Sequence, residues 1–253
     1  MKGKRTTDTC WYGRRSGKKL RPGRQALVET LLPKIRLKVP TGGRIGSLAD
    51  CFPHAPKDVW LEIGFGGGEH LAAQARAHSG IGFIGCEPFV NGVASALTLV
   101  EYDGLTNIRI FDDDARLILD ALPDASIGRL FLLFADPWPK RRHERRRLVS
   151  GNTLDQFARL MKDGAEFRFA SDHMDYVRWT LEQVLRHLSF AWPVCGADDW
   201  RLGRDFWCSW CLFCSPPQGQ GMGSGAFGGA TQTADLRDHQ WLGRTPGVQC
   251  LQC

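Results

Sequence analysis

The sequence predicts an α/β fold, a mostly parallel β-sheet flanked by helices, and three observations predict it. Short apolar segments alternate strictly with segments of helical periodicity from residue 59 to residue 188. The segment at 130–134 is apolar at every position, which marks a strand covered on both faces. The first short segment, VWLEI at 59–63, runs straight into Gly64, Gly66, Gly67 and Gly68, and such a cluster lets a strand turn tightly into a helix.

Each element follows from its local pattern. Residues 1–24 form a basic arm without apolar periodicity, predicted to be flexible. From 25 to 38, Leu27, Leu31 and Ile35 recur at helical spacing, and Pro33 predicts a break because it lacks the N–H a helix needs. Strands are predicted at 59–63, 82–86, 108–111, 130–134 and 166–170, and helices at 69–78, 90–100, 115–122, 153–161 and 176–188. Val93, Leu97 and Val100 fall on one helical face. The body is thus one domain, 25–200, followed by a tail, 201–253, rich in Gly, Cys and Trp and without periodicity.

Composition narrows the function classes. Apolar content of 43% and charged content of 24% are those of a soluble globular chain, and no apolar run reaches the roughly 18 residues of a membrane helix. The basic N-terminus lacks the apolar segment of a secretory signal, while an organelle transit peptide remains an alternative. Of the net charge of +6, the arm holds more than the whole: nine Lys or Arg against Asp8. A basic arm on a nearly neutral body suits a polyanionic partner, and the run alone also fits a solvated tail. Cys10, Cys51 and Cys86 are the only cysteines before residue 195, the usage of a reduced compartment.

Ligands of a parallel sheet sit beyond the carboxyl ends of its strands, and every predicted strand ends on polar residues. Glu62 with Gly64 and Gly66 ends the first, Glu87 the second, Asp112 to Asp114 the third, Asp136 the fourth, and Ser171 with Asp172 the fifth. A dinucleotide fingerprint requires glycine where this chain has Glu69, and has no use for Glu62. A carboxylate in a glycine turn suits the cationic amine and sulfonium of S-adenosylmethionine. Glu87, 21 residues beyond Gly66, stands at the interval at which an acid reaches ribose hydroxyls. Asp114 and Ala115 are placed for the adenine, with Asp112 and Asp113 read as solvated neighbours and the register uncertain by one position. Any one of these acids also reads as a helix N-cap; five on one rim point to a site.

The most specific segment is FADPWPKRRHERRR, 134–147. Two prolines lock a non-helical turn around Asp136 and Trp138, and six of the eight residues from Lys140 to Arg147 are Lys or Arg. A carboxylate and an aromatic plane beside a phosphate-binding strip suit an unstacked base: Asp136 accepts from the N1–H and amino edge of a guanine while Trp138 stacks. Trp138 reads alternatively as a core aromatic, and His143 as part of the strip.

These residues resemble the bacterial tRNA (guanine-N7-)-methyltransferases. The resemblance covers roughly 13–200 and rests on GRRSGKKLRPGRQ, LEIGFGGGEH, IGCEP, DPWPKRRHERRR and FASDHMDY. It implies a Rossmann-like class I methyltransferase fold, S-adenosylmethionine as cofactor, and methylation at N7 of a variable-loop guanine of tRNA, conventionally guanine 46. It further implies cofactor contacts at Glu62, Glu87, Asp114 and Asp136, and a catalytic role for Asp136. RNA or substrate contacts are implied at Lys140, Arg142, His143, Arg145, Arg146, Arg147 and Asp172. A cytoplasmic enzyme without a metal is implied, as monomer or homodimer. Guanine N7 carries a lone pair in the neutral base, which explains a rim of acids without a general-base grouping.

Past Trp200 the chain departs from the family's pattern. The expected Thr-Arg-Tyr-Glu-x-Lys motif is missing, and the tail reads as replaced sequence, such as a shifted frame. Zinc ligation by Cys208, Cys211, Cys214, Cys250 and Cys253 is the alternative. Loss of closing strands would expose a sheet edge, so a catalytically impaired RNA-binding remnant is the rival function, and a methyltransferase for another substrate the third.

Overall fold

In the computed structural model the described residues are 13–40, 42–191 and the backbone of 211–214. Strands β1 (Asp58–Ile63), β2 (Ile81–Cys86), β3 (Ile108–Phe111), β4 (Ile127–Leu133) and β5 (Met161–Ala170) pair in parallel. A sixth, β6 (Cys211–Cys214), pairs antiparallel with β5, and the order is β3-β2-β1-β4-β5-β6. The chain winds outward in one direction from β1 through β2 to β3 and then returns to β4 on the other side. The carboxyl ends of β1 and β4 therefore flank the topological switch point, where open α/β sheets bind ligands.

Helices α1 (Pro22–Thr30), α2 (Leu32–Ile35), α3 (Glu69–Ala77) and α4 (Val90–Asp103) belong to one face of the sheet, and α5 (Arg116–Leu119), α6 (Gly151–Leu160) and α7 (Met174–Leu185) to the other. Alternation along each strand feeds two cores. Leu61, Ile84, Leu130 and Phe167 pack with Ile118, Phe157 and Val177; Trp60, Phe83, Ile110 and Phe131 pack with Leu71, Val93 and Leu97. Both faces are covered, as the consecutive apolar runs predict.

Several boundaries differ from expectation; β5 starts at Met161 instead of 166, α6 spans Gly151–Leu160 and α7 Met174–Leu185. The helical break falls at Leu31, and Pro33 lies in the first turn of α2, where its missing N–H costs nothing. The helix expected at 115–122 contracts to Arg116–Leu119. Phe134 leaves β4 with φ of 53°, although its N–H still donates to Ala170 O at 2.7 Å.

The arm is docked from Arg15 onward. Val90 N–H donates to Arg15 O at 2.9 Å, Gly17 N–H to Asn91 Oδ1 at 2.7 Å, and Asn91 Nδ2 to Lys18 O at 2.8 Å. Residues 1–12 lie outside the described residues, as do Cys208, Cys250 and Cys253 and the side chains of Cys211 and Cys214, on which the zinc alternative rests. Among the described residues no helix is long and apolar enough to cross a membrane.

Candidate active site

The parallel register levels the strand ends. Ile63 pairs with Cys86, Cys86 with Phe111, and Leu133 with Ala170. One residue further on, Gly64 N–H donates to Cys86 O at 2.7 Å and Glu87 N–H to Phe111 O at 3.0 Å. The polar residues that follow each strand are thereby held on one rim by sheet hydrogen bonds, before any side chain contributes.

The glycine turn is an open cradle. Gly64 and Gly66 have φ of 74° and 58°, and a Cβ built on either would meet nothing within 4 Å, so the space in front of their backbone is vacant of protein. Side chains rarely adopt such φ, and a non-glycine there costs on the order of 1–2 kcal/mol. On the inner side the fit is tight. A Cβ on Gly92, in the first turn of α4, would lie 2.3 Å from Gly66 O.

Glu87 ties this cradle to β2. Its Oε2 accepts from Gly66 N–H at 2.8 Å and its Oε1 from Phe89 N–H at 2.9 Å. Burial lifts its carboxyl above the ordinary range, the two N–H donors pull it down, and the charge of Asp136 pushes it up again. Cys86, 1% exposed, has its thiol raised by burial first and then by Asp114 and Glu87. The charges of Asp136 and Asp114 thus act on neighbouring residues of the β2 end, Glu87 and Cys86. Glu62, 3% exposed, is bonded to His70 Nδ1 at 2.8 Å.

The three acids after β3 divide differently from expectation. Asp112 and Asp113 are ion-paired rather than merely solvated, to Arg36 at 2.8 Å and to Arg15 at 2.9 Å. Asp114 is the buried one, 5% exposed; it accepts from Arg116 N–H at 3.1 Å and pairs with the same residue's guanidinium at 2.8 Å. Ala115, 4% exposed, enters α5 beside it.

Asp136 is exposed, between Phe134 and Trp138, whose φ values of 53° and 42° are both left-handed. Such conformations in non-glycine residues cost on the order of 1–3 kcal/mol each and concentrate at functional sites. Trp138 is neither a core residue nor an open plane: Arg146 lies over its ring at 5.0 Å and His143 meets its edge at 5.9 Å. Phe134 is 51% exposed.

The basic strip splits in two. Lys140, Arg142 and Arg145 are exposed on the turn that includes Arg141–Arg146. Arg147 is withdrawn from the expected RNA-contacting set because it is 5% exposed. Its Nε donates to Pro137 O at 2.9 Å, and its guanidinium lies over Trp179 at 5.0 Å and Tyr176 at 5.6 Å. His143 is a weak carrier of charge: desolvation and then Arg146, Arg142, Lys140 and Arg145 lower its pKa. Asp172 is exposed, the neighbouring Ser171 Oγ accepts from His173 N–H at 3.1 Å, and no side chain caps α7. Sequence reasoning missed His70, Asn91, Gly92 and Arg15. The only advance signal was their place next to the glycine turn, the second strand end and the basic run.

The family model described as "Putative methyltransferase" matches residues 56–194. A tRNA (guanine-N(7)-)-methyltransferase of Rhodospirillum rubrum is 52% identical over 204 residues, 79% of this chain and 80% of the relative. Proteins of that name from Bradyrhizobium diazoefficiens (47%; 79% of this chain, 84% of the relative) and Chelativorans sp. (46%; 78% and 85%) are similar over the same extent. By this match and these identities, the chain belongs to the tRNA (guanine-N(7)-)-methyltransferase family.

Proposed function

We propose that this chain methylates N7 of a variable-loop guanine in tRNA, with S-adenosylmethionine as donor. The observation that carries the proposal is one rim holding Glu62, Glu87, Asp114 and Asp136 around an open glycine cradle, next to exposed Lys140, Arg142 and Arg145.

The residues present fit the donor. Glu62 receives its ammonium group, Glu87 the ribose diol, and Asp114 with Ala115 the adenine edge, while Gly64 and Gly66 leave room against the backbone. When bound, S-adenosylmethionine supplies an electrophilic sulfonium methyl. That methyl would be open to the lone pair of guanine N7, which is free in the neutral base, so the residues of the rim need not first remove a proton. What the chain contributes is alignment and charge. Asp136 accepts from the N1–H and amino group of the guanine, and its charge eases the positive charge arriving on the purine. Trp138, with Arg146 over its ring at 5.0 Å, supplies the aromatic plane beside Asp136. Lys140, Arg142 and Arg145 neutralise backbone phosphates, and Asp172 meets the substrate from the β5 side.

Methyl-labelled cofactor with unmodified tRNA transcripts, with and without guanine at the variable-loop position, tests this reading. Label requiring that guanine, and reduced about a hundredfold or more in Asp136→Asn by loss of transition-state stabilisation, is expected. Salt-sensitive tRNA binding without transfer would overturn it in favour of an RNA-binding remnant.

A further inference from the structure

Glu62 is 3% exposed, and burying a carboxylate is costly unless it is hydrogen-bonded. Among the described residues the group bonded to it is His70, through Nδ1 to Oε2 at 2.8 Å. An ionised carboxylate only accepts, so the ring nitrogen is the donor. His70 stands in the first turn of α3, directly after the glycine cradle. Its ring meets the edge of Phe131 at 4.9 Å and 66°, and Phe131 is the register partner of Glu62 on β4. The ring is thus held from the sheet side by the strand neighbour of the acid it bonds. It is not a buried core histidine, since a third of its side chain, 34%, stays exposed.

We propose that His70 is a positioning residue for cofactor binding: its Nδ1–H holds the Glu62 carboxylate in the orientation that receives the α-ammonium group of the donor. The proposal rests on the reading of Glu62 as the ammonium contact. A glutamate has three side-chain torsions, and restricting them beforehand removes an ordering cost from binding. The bond engages Oε2 and leaves Oε1 for the ligand. His70 then contributes to affinity only through a ligand that carries the amine.

The test is a ligand-by-variant cycle on the full chain, using calorimetry with S-adenosylhomocysteine and with its analogue lacking the α-amino group. Loss of one hydrogen bond to a charged group predicts about tenfold weaker S-adenosylhomocysteine binding by His70→Ala. Binding of the deaminated analogue should change by less than about twofold, because no ammonium is present to be oriented. His70→Asn, which keeps an N–H donor near the Nδ1 position, should restore most of the affinity, and kcat at saturating donor should be unchanged in both variants. Equal weakening of both ligands by His70→Ala, at unchanged Tm, would overturn the positioning role. Glu62→Gln separates the two readings. If it leaves S-adenosylhomocysteine affinity intact, the ammonium contact itself fails and His70 with it; if it weakens only the amine-bearing ligand while His70→Ala does nothing, the positioning role alone fails.

Discussion

Asn91 holds the basic arm by both ends of its amide: Oδ1 accepts from Gly17 N–H at 2.7 Å while Nδ2 donates to Lys18 O at 2.8 Å. Asn91 is the second residue of α4, and the loop that precedes this helix carries Glu87. The arm closes in further with Arg15 on Asp113 at 2.9 Å. Two exposed hydrogen bonds contribute roughly 0.5–1.5 kcal/mol each. Asn91→Ala is expected to release residues 15–18, read as loss of amide exchange protection there, with Tm almost unchanged. Protection that survives the substitution would show that Arg15 and the Val90 N–H suffice.

Arg147 and Arg145 should separate fold from RNA binding. Arg147→Ala strips a buried partner from Pro137 O and two aromatic faces, and a cost of about 3 kcal/mol is expected from a buried charged contact of this kind. Thermal unfolding checks it. Arg145→Ala should leave Tm alone and lower the salt dependence of tRNA affinity by about one phosphate contact. His143→Ala at pH 7.5 should not change that slope, because desolvation and then the neighbouring cations lower the imidazole's pKa from its ordinary value.

Glu87 predicts the acid limb of cofactor binding. Its carboxyl is raised, so on acidification it takes up a proton at a higher pH than an ordinary glutamate, and ribose affinity falls there. The stability effect has the opposite sign: with the folded pKa above the unfolded one, Glu87's contribution is fully present below the unfolded value and is lost as pH rises through the folded value. Cofactor affinity and ligand-free Tm measured from pH 4 to 8 should therefore move in opposite directions where Glu87 titrates. Glu87→Gln should abolish both local trends.

Gly92→Ala tests the inner wall of the cradle. The added Cβ would lie 2.3 Å from Gly66 O, and the neighbour is backbone, so the turn itself must shift. Overpacking of this kind costs about 1–3 kcal/mol. The expected outcome is cofactor affinity reduced about tenfold or more with the sheet intact by circular dichroism; unchanged affinity would mean that the turn has slack.

The sequence by itself determined the parallel sheet, because consecutive apolar residues in VWLEI, IGFIGC and RLFLLF tolerate only strands covered on both faces. It also determined which residues stand at the strand ends, since a parallel register levels those ends without reference to side chains. That made Glu62, Glu87, Asp114 and Asp136 legible as one rim. Only the tertiary structure decided which charges are spent on the protein itself. Arg147 looks like its neighbours in a run of arginines, yet packing of α7 buries it against Tyr176 and Trp179. Asp112 and Asp113 read as solvated neighbours of Asp114, yet Arg36 and Arg15 each claim one of them. For His70 and Asn91 the sequence showed a place beside the glycine turn and the second strand end, and no partner. Their partners lie 8 and 73 or 74 residues away, Glu62 for the one and the arm for the other. Periodicity reports which face a residue takes, whereas a hydrogen bond across the fold depends on distances that only the packed chain sets.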